Sequence, residues 1–257
     1  MEHLVLWQWA LLALAVIVIG VAKSGFGGGV GIVAVPMFVI AAGDSQKAIG
    51  LMLPLLILAD VFSVGHHWKK WDNHNMKLLS VGTLVGIGTG SLCLAWFNSI
   101  DTGEKWMRFS IGWICVFYVV ADQVRRRWAP NLSLSANWVT GSIAGLLVGI
   151  TSTLAHAAGP VAAIYFLGQH LKKNLFIGTT VFFFFFVNTI KLIPYGLLGL
   201  IDSSSLLQGL MLAPLVPVGT YLGAILNRKM SETVFRTIIL VIVLITGVRM
   251  VMQSWPG

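Results

Sequence analysis

Two stretches of this chain place glycine or proline beside polar side chains inside otherwise apolar sequence. The first is Lys23-Ser24-Gly25-Phe26-Gly27-Gly28-Gly29, and the second runs from Thr151 through Ser152, Thr153 and His156 to Gly159-Pro160. Gly27, Gly28 and Gly29 permit backbone conformations closed to other residues, and Gly159-Pro160 sets a turn and opens a helix with a residue whose missing N–H is harmless there. A helix that begins just past such a break presents bare N–H groups and the positive end of its dipole. Two such ends facing each other make a site for a small anion.

Neighbouring side chains extend that site: Lys23, Ser24, Thr153 and His156 at the breaks, and Asn188 and Lys191 further on. Charge inside a span is rare and usually functional, so Lys191 is the favoured cationic contact, with snorkelling to the interface as the alternative. His156 could donate to an oxyanion, take up a coupling proton, or stay neutral and bonded to backbone. Asp60, deep in an apolar run, is a proton carrier or an ion-pair partner.

Other chemistries lack support. Ser152 and His156 stand one helical turn apart, yet no nucleophile elbow, paired intramembrane aspartates or His-Glu-x-x-His motif accompanies them, so no catalytic residues are assigned and an enzyme is not expected. His66, His67 and His74 have no carboxylate or thiolate at ligand spacing, and Cys93 and Cys115 lie within apolar segments, so neither a metal nor a disulfide is expected. The run Phe182–Phe186 reads as contact with lipid or neighbouring helices and not as a cofactor box.

The elements that must hold these residues lie in a bilayer. Of 257 residues 57% are hydrophobic and 10% charged, where a soluble domain carries about 25% charged. The net charge of +8 does not point to nucleic acid, because Lys and Arg fall in short clusters between apolar runs, which is a topology signal. Six runs are long enough to cross: 47–67, 78–97, 106–124, 174–195, 205–226 and 232–252. Four others form two pairs around the breaks, 4–22 with 30–42 and 138–150 with 160–169, and three of these four are too short to span. The first lacks a basic n-region and a cleavage site, so it reads as a retained helix. Trp68, Trp71, Trp106, Trp128 and Trp138 sit near span ends as interfacial anchors, and Gly86, Gly88 and Gly90 suit close helix contact. The basic loops (Lys69, Lys70, Lys77, Arg125, Arg126, Arg127, Lys172, Lys173, Arg228, Lys229) share one side, against Lys47 and Lys105 on the other, so both termini are expected outside.

The halves also repeat. Glu104 and Glu232, Arg108 and Arg236, Gly50 and Gly178, and Asp60 and Asn188 all stand 128 positions apart, and Leu84-Val-Gly-Ile-Gly-Thr89 matches Leu215-Val-Pro-Val-Gly-Thr220. Each copy has a hairpin-like pair plus three crossings, an odd number, so the second is inverted. The expected fold is an all-α integral membrane protein of two inverted-topology repeats, residues 1–130 and 131–257, forming one transmembrane domain. That is an architecture of secondary transporters, which bind substrate near mid-membrane where broken helices meet.

With Ser24-Gly-Phe-Gly-Gly-Gly29 followed by Val35-Pro36, and His156-Ala-Ala-Gly-Pro160 followed by Asn188 and Lys191, the chain resembles the TauE/SafE family, the sulfite exporter group also called the 4-toluene sulfonate uptake permease family. The resemblance covers nearly the whole length. It implies transport of sulfite, sulfonates, sulfoacetate, thiosulfate or related small organic anions across a bacterial inner membrane, without choosing the anion or the direction. A passive anion channel is the competing reading, because broken helices also line channels. Proton coupling through Asp60 or His156, and association into a homo-oligomer, stay open at this stage; no cofactor is expected.

Overall fold

A computed structural model describes residues 5–25, 31–128, 133–229 and 231–255, and among them every regular element is helical. In chain order the helices are α1 (Leu6–Gly25), α2 (Ala34–Ala42, entered by a 3-10 turn at Gly31–Val33), α3 (Ser45–His66), α4 (Asn73–Ser99), α5 (Gly103–Trp128), α6 (Trp138–Ala155), α7 (Gly159–Gly168), α8 (Lys173–Leu197), α9 (Ser203–Leu212), α10 (Leu215–Lys229) and α11 (Glu232–Gln253). Six of them, α1, α3, α4, α5, α6 and α8, are long and apolar enough to cross a membrane, and the bent pair of α9 and α10 brings the number to as many as seven. Outward faces carry large apolar side chains, such as Leu197 at 84% and Leu92 at 72% exposure, which only a lipid solvent tolerates in such numbers.

Short polar signals set the helix starts. Asp44 accepts the Lys47 amide at 2.8 Å, Asp72 the His74 amide at 2.8 Å, and Asn137 the Thr140 amide at 2.9 Å. Gly43, in the left-handed region at φ 72°, ends α2.

Three expectations are corrected. The run 205–226 is not one straight span: α9 and α10 meet at 46°, because Pro214 between them lacks an N–H and cannot continue the helical ladder. The stretch 138–150 is not a short element ending at Thr151, since α6 continues to Ala155 and is itself long enough to span. Thr151 and Thr153 turn their hydroxyls onto the helix carbonyls of Leu147 and Gly149 at 2.7 and 2.8 Å, so polar residues read as a break fit inside the helix. Finally, Gly86 and Gly90 approach neighbouring chain as expected, but Gly88 faces open space.

Both helix pairs fold back as hairpins. The Gln8 side chain donates to Ala41 O at 2.9 Å, so α2 ends level with the start of α1; Leu134 N donates to Gly168 O at 3.1 Å, so α7 ends level with the entry to α6. The ten residues of α7 rise about 15 Å, half of a hydrocarbon core of about 30 Å, so α7 is too short to span by itself.

Packing between helices is reciprocal. α6 lies along α4 and α1 along α10, while α3 meets α8 and α5 meets α11. Two glycines show how tight the crossings are. A Cβ on Gly50 of α3 would fall 1.9 Å from Leu200 O, just past α8, and one on Gly178 of α8 would fall 1.8 Å from Lys70 O, just past α3.

Candidate functional site

The α6–α7 turn is made by His156, held in the left-handed region at φ 47°, followed by Ala157 and Ala158. Ala162 N gives the first helical bond of α7, to Ala158 O, so the orphan amides of the helix start lie before it, and no side chain caps them. Gly159 among these residues lines a cavity of about 30 Å³, together with Lys23, Ser152, His156, Phe184 and Asn188.

Around this cavity runs a buried polar network. Lys23, in the last turn of α1, pairs with Asp60 on α3, whose side chain is fully buried. The other oxygen of Asp60 accepts the Asn188 amide of α8 at 2.6 Å. An ionised carboxylate without partners at this depth would be prohibitive; here both oxygens are engaged. Lys23 also stands 5.1 Å from the Phe184 ring centroid, within cation–π range.

The second lysine is held differently. Lys191, fully buried, donates to Ser152 O at 3.1 Å, Ser152 Oγ at 2.9 Å and His156 Nδ1 at 2.8 Å. These three bonds use all three N–H groups of the ammonium. The far ring nitrogen of His156 meets Ile49 O at 2.9 Å. A carbonyl can only accept, so Nε2 carries the ring proton and Nδ1 offers the lone pair that takes the Lys191 N–H. His156 is therefore neutral in this arrangement. Tyr195, one turn beyond Lys191, donates to Thr153 O at 2.6 Å and fixes the end of α6 from behind.

The structure thus brings Lys23, His156, Gly159 and Asn188 to one cavity, with Asp60 behind its wall, bonded to Lys23 and Asn188. Lys191 and Thr153 stand one layer behind, Lys191 reaching the cavity through His156 and Thr153 spending its hydroxyl on Gly149 O. Gly27, Gly28 and Gly29 and the Ser24 side chain lie outside the described residues. Sequence reasoning missed the Ile49 carbonyl, which no residue type signals, and Tyr195 and Phe184. Tyr195 was findable, since it follows Lys191 by four positions on the same helix face. Among the described residues no group of three or more His, Cys, Asp or Glu could hold a metal ion.

A family model described as sulfite exporter TauE/SafE matches residues 12–250. No curated protein and no solved structure matches the chain. The family is one of transporters and not of enzymes, and it implies membrane transport of sulfur-containing anions like sulfite. A multi-pass apolar bundle, a helical hairpin turning on a buried lysine–histidine network, and that match along nearly the whole sequence make this chain a member of the sulfite exporter TauE/SafE family.

Proposed function

We propose that the protein is a secondary transporter of a small sulfur-containing anion such as sulfite, a sulfonate, sulfoacetate or thiosulfate, working by alternating access in a bacterial inner membrane with both termini outside. The observation that carries this reading is the cavity at the start of α7, where Lys23 is the lysine that lines the wall. An incoming oxyanion meets the Lys23 ammonium, the amides around Gly159, the Ser152 hydroxyl and the Asn188 amide, all donors suited to sulfur oxygens.

Charge balance suggests the coupling. Lys23 is committed to Asp60, so an anion can take the ammonium only if the carboxylate is neutralised. A proton on Asp60 does this, and the groups facing it are Lys23 and Asn188, with His156 on the cavity those two line and Lys191 behind His156. Anion and proton then occupy the site together and leave together. Lys191 keeps His156 neutral and oriented and does not touch the anion.

Alternation is supported by size and by packing. A cavity of about 30 Å³ has room for one water-sized molecule, so an anion enters only when the hairpins part. The reciprocal pairs, α6 on α4 with α1 on α10 and Gly50 against Leu200 with Gly178 against Lys70, are what two inverted repeats, 1–130 and 131–257, would produce.

Proteoliposomes loaded with sulfite, thiosulfate, sulfoacetate or taurine test the reading. Substrate on the far side should accelerate labelled influx of the same anion. Flux without such trans-stimulation would mean a passive channel, and no flux with any of these anions would remove the substrate class.

A further inference from the structure

We infer that the groove between α5, α6 and α7 holds one acyl chain of an anionic phospholipid, with the lipid phosphate resting on Arg125 and Arg126. The groove has a volume of about 330 Å³ and is walled by Ile114, Phe117 and Ala121 of α5, Ala144 and Leu147 of α6, and Val161 of α7. Its polar residues keep their hydroxyls for the protein. Thr140 donates to Ser135 O, Thr151 to Leu147 O at 2.7 Å, and Tyr165 to Asn75 at 2.8 Å, so the groove presents carbon to whatever enters. From Thr140 to Thr151 it follows about 16 Å of α6, and one leaflet of hydrocarbon is about 15 Å deep.

The open end names the lipid. Ala121 on the groove wall is followed one helical turn later by Arg125, so the same face of α5 passes from carbon to guanidinium. Arg125, Arg126 and Arg127 gather there beside Asp122, whose carboxylate lies 3.7 Å from Arg125 and 3.8 Å from Arg126, three positive charges to one negative in this stretch of sequence. That excess of positive charge suits a phosphate bearing a net negative headgroup better than a zwitterion. Trp128 and Trp138, 78% and 58% exposed, sit at this same end, where aromatic side chains mark headgroup level. The deep end reaches Ala157, next to His156, so a seated tail buttresses the turn that carries the site.

The test is competition between phosphatidylglycerol and phosphatidylcholine for delipidated protein, read by native mass spectrometry. Wild type should retain phosphatidylglycerol in preference by a factor on the order of ten. R125Q/R126Q should bring the two lipids to parity, A144F should abolish retention, and R249Q, an exposed arginine elsewhere, should change nothing. Parity in the wild type, or a preference that survives R125Q/R126Q or A144F, would overturn the site. Should either variant fail to fold, a phosphatidylglycerol with a photoreactive tail decides on wild type alone: labelling confined to residues 114–121 and 134–165 is expected, and labelling spread evenly over the lipid-facing helices would refute it.

Discussion

The two lysines of the buried network do opposite things. Lys23 faces a carboxylate, Asp60, while Lys191 is held by the neutral acceptors Ser152 and His156. Asp60 and Asn188, 128 positions apart, are joined by a hydrogen bond, so isosteric residues in the two halves touch with only one of them able to ionise. A lysine with an ionic partner can exchange that partner for an anion. One whose three N–H groups all end on neutral oxygen and nitrogen is a structural pin. In the proposed mechanism the difference puts movable charge on Lys23 and Asp60 and the rigid frame on Lys191.

The comparison breaks first at the crossings. Gly50 and Gly178 each admit a backbone carbonyl where a side chain would sit, at 1.9 and 1.8 Å, so neither obstacle can swing aside. G50V and G178V should both prevent a monodisperse protein from forming, exceeding the ~1–3 kcal/mol typical of overpacked cores. G196A, with nothing near its added methyl, should leave the melting temperature unchanged. Size-exclusion profiles check this, and a well-behaved G178V beside a collapsed G50V would show that the crossings are not equivalent.

Next in size is the effect of removing the ionisable partner. D60N keeps a group that can meet Asn188 but leaves Lys23 without its carboxylate. Proton-driven accumulation should vanish while counterflow of labelled anion persists, the separation expected when the coupling proton has lost its acceptor. Accumulation that still follows the pH gradient in D60N would move the proton elsewhere, with His156 and Lys23 the titratable groups that line the cavity.

How far these assignments could be read in advance follows from the kind of signal each residue carries. The His156 turn was legible because Gly159-Pro160 follows it, and long apolar runs made α3, α4, α5 and α8 plain. The extension of α6 to Ala155 was hidden, because Thr151 and Thr153 look like turn formers until their hydroxyls find carbonyls one turn back. Pro214 was visible inside 205–226, but its consequence, a 46° bend, depends on the neighbours of α9 and α10. The choice of partner for each lysine was out of reach. Lys23 and Asp60 lie 37 positions apart, and Lys191 and His156 lie 35 apart, distances over which only the assembled bundle decides contact.

The lysines themselves give a finer test. K23Q should weaken anion affinity about tenfold or more, since it removes the charge at the cavity wall, and it should also cost stability unless buried Asp60 takes up a proton. K191Q should differ in affinity: a drop of about 1–3 kcal/mol in stability is expected as Ser152 and His156 lose donors, with a much smaller change in affinity than in K23Q. Thermal shifts with and without sulfite measure both quantities on one sample. Equal affinity losses would mean that both ammonium groups reach the anion, and the assignment of pin and contact would fall.

The smallest effect compares the loops that cross the two glycines. Asp72 follows Lys70 and caps α4, and Asp202 follows Leu200 and caps α9 in a capping box with Ser205. Asp72 also takes the Asn75 side chain at 3.3 Å, and Asn75 in turn accepts the Tyr165 hydroxyl, so its loss propagates while that of Asp202 stays local. D202A should cost on the order of 1 kcal/mol, and D72A more. The Ser205 hydrogen bonds hold the Asp202 carboxyl below its ordinary value, so its contribution is complete above the unfolded value near ~3.9 and fades as pH falls through the lower folded one. Wild-type melting temperature should therefore approach that of D202A only in acid below that range. A gap between the two proteins that is constant from neutral pH downwards would show that the cap acts without its charge.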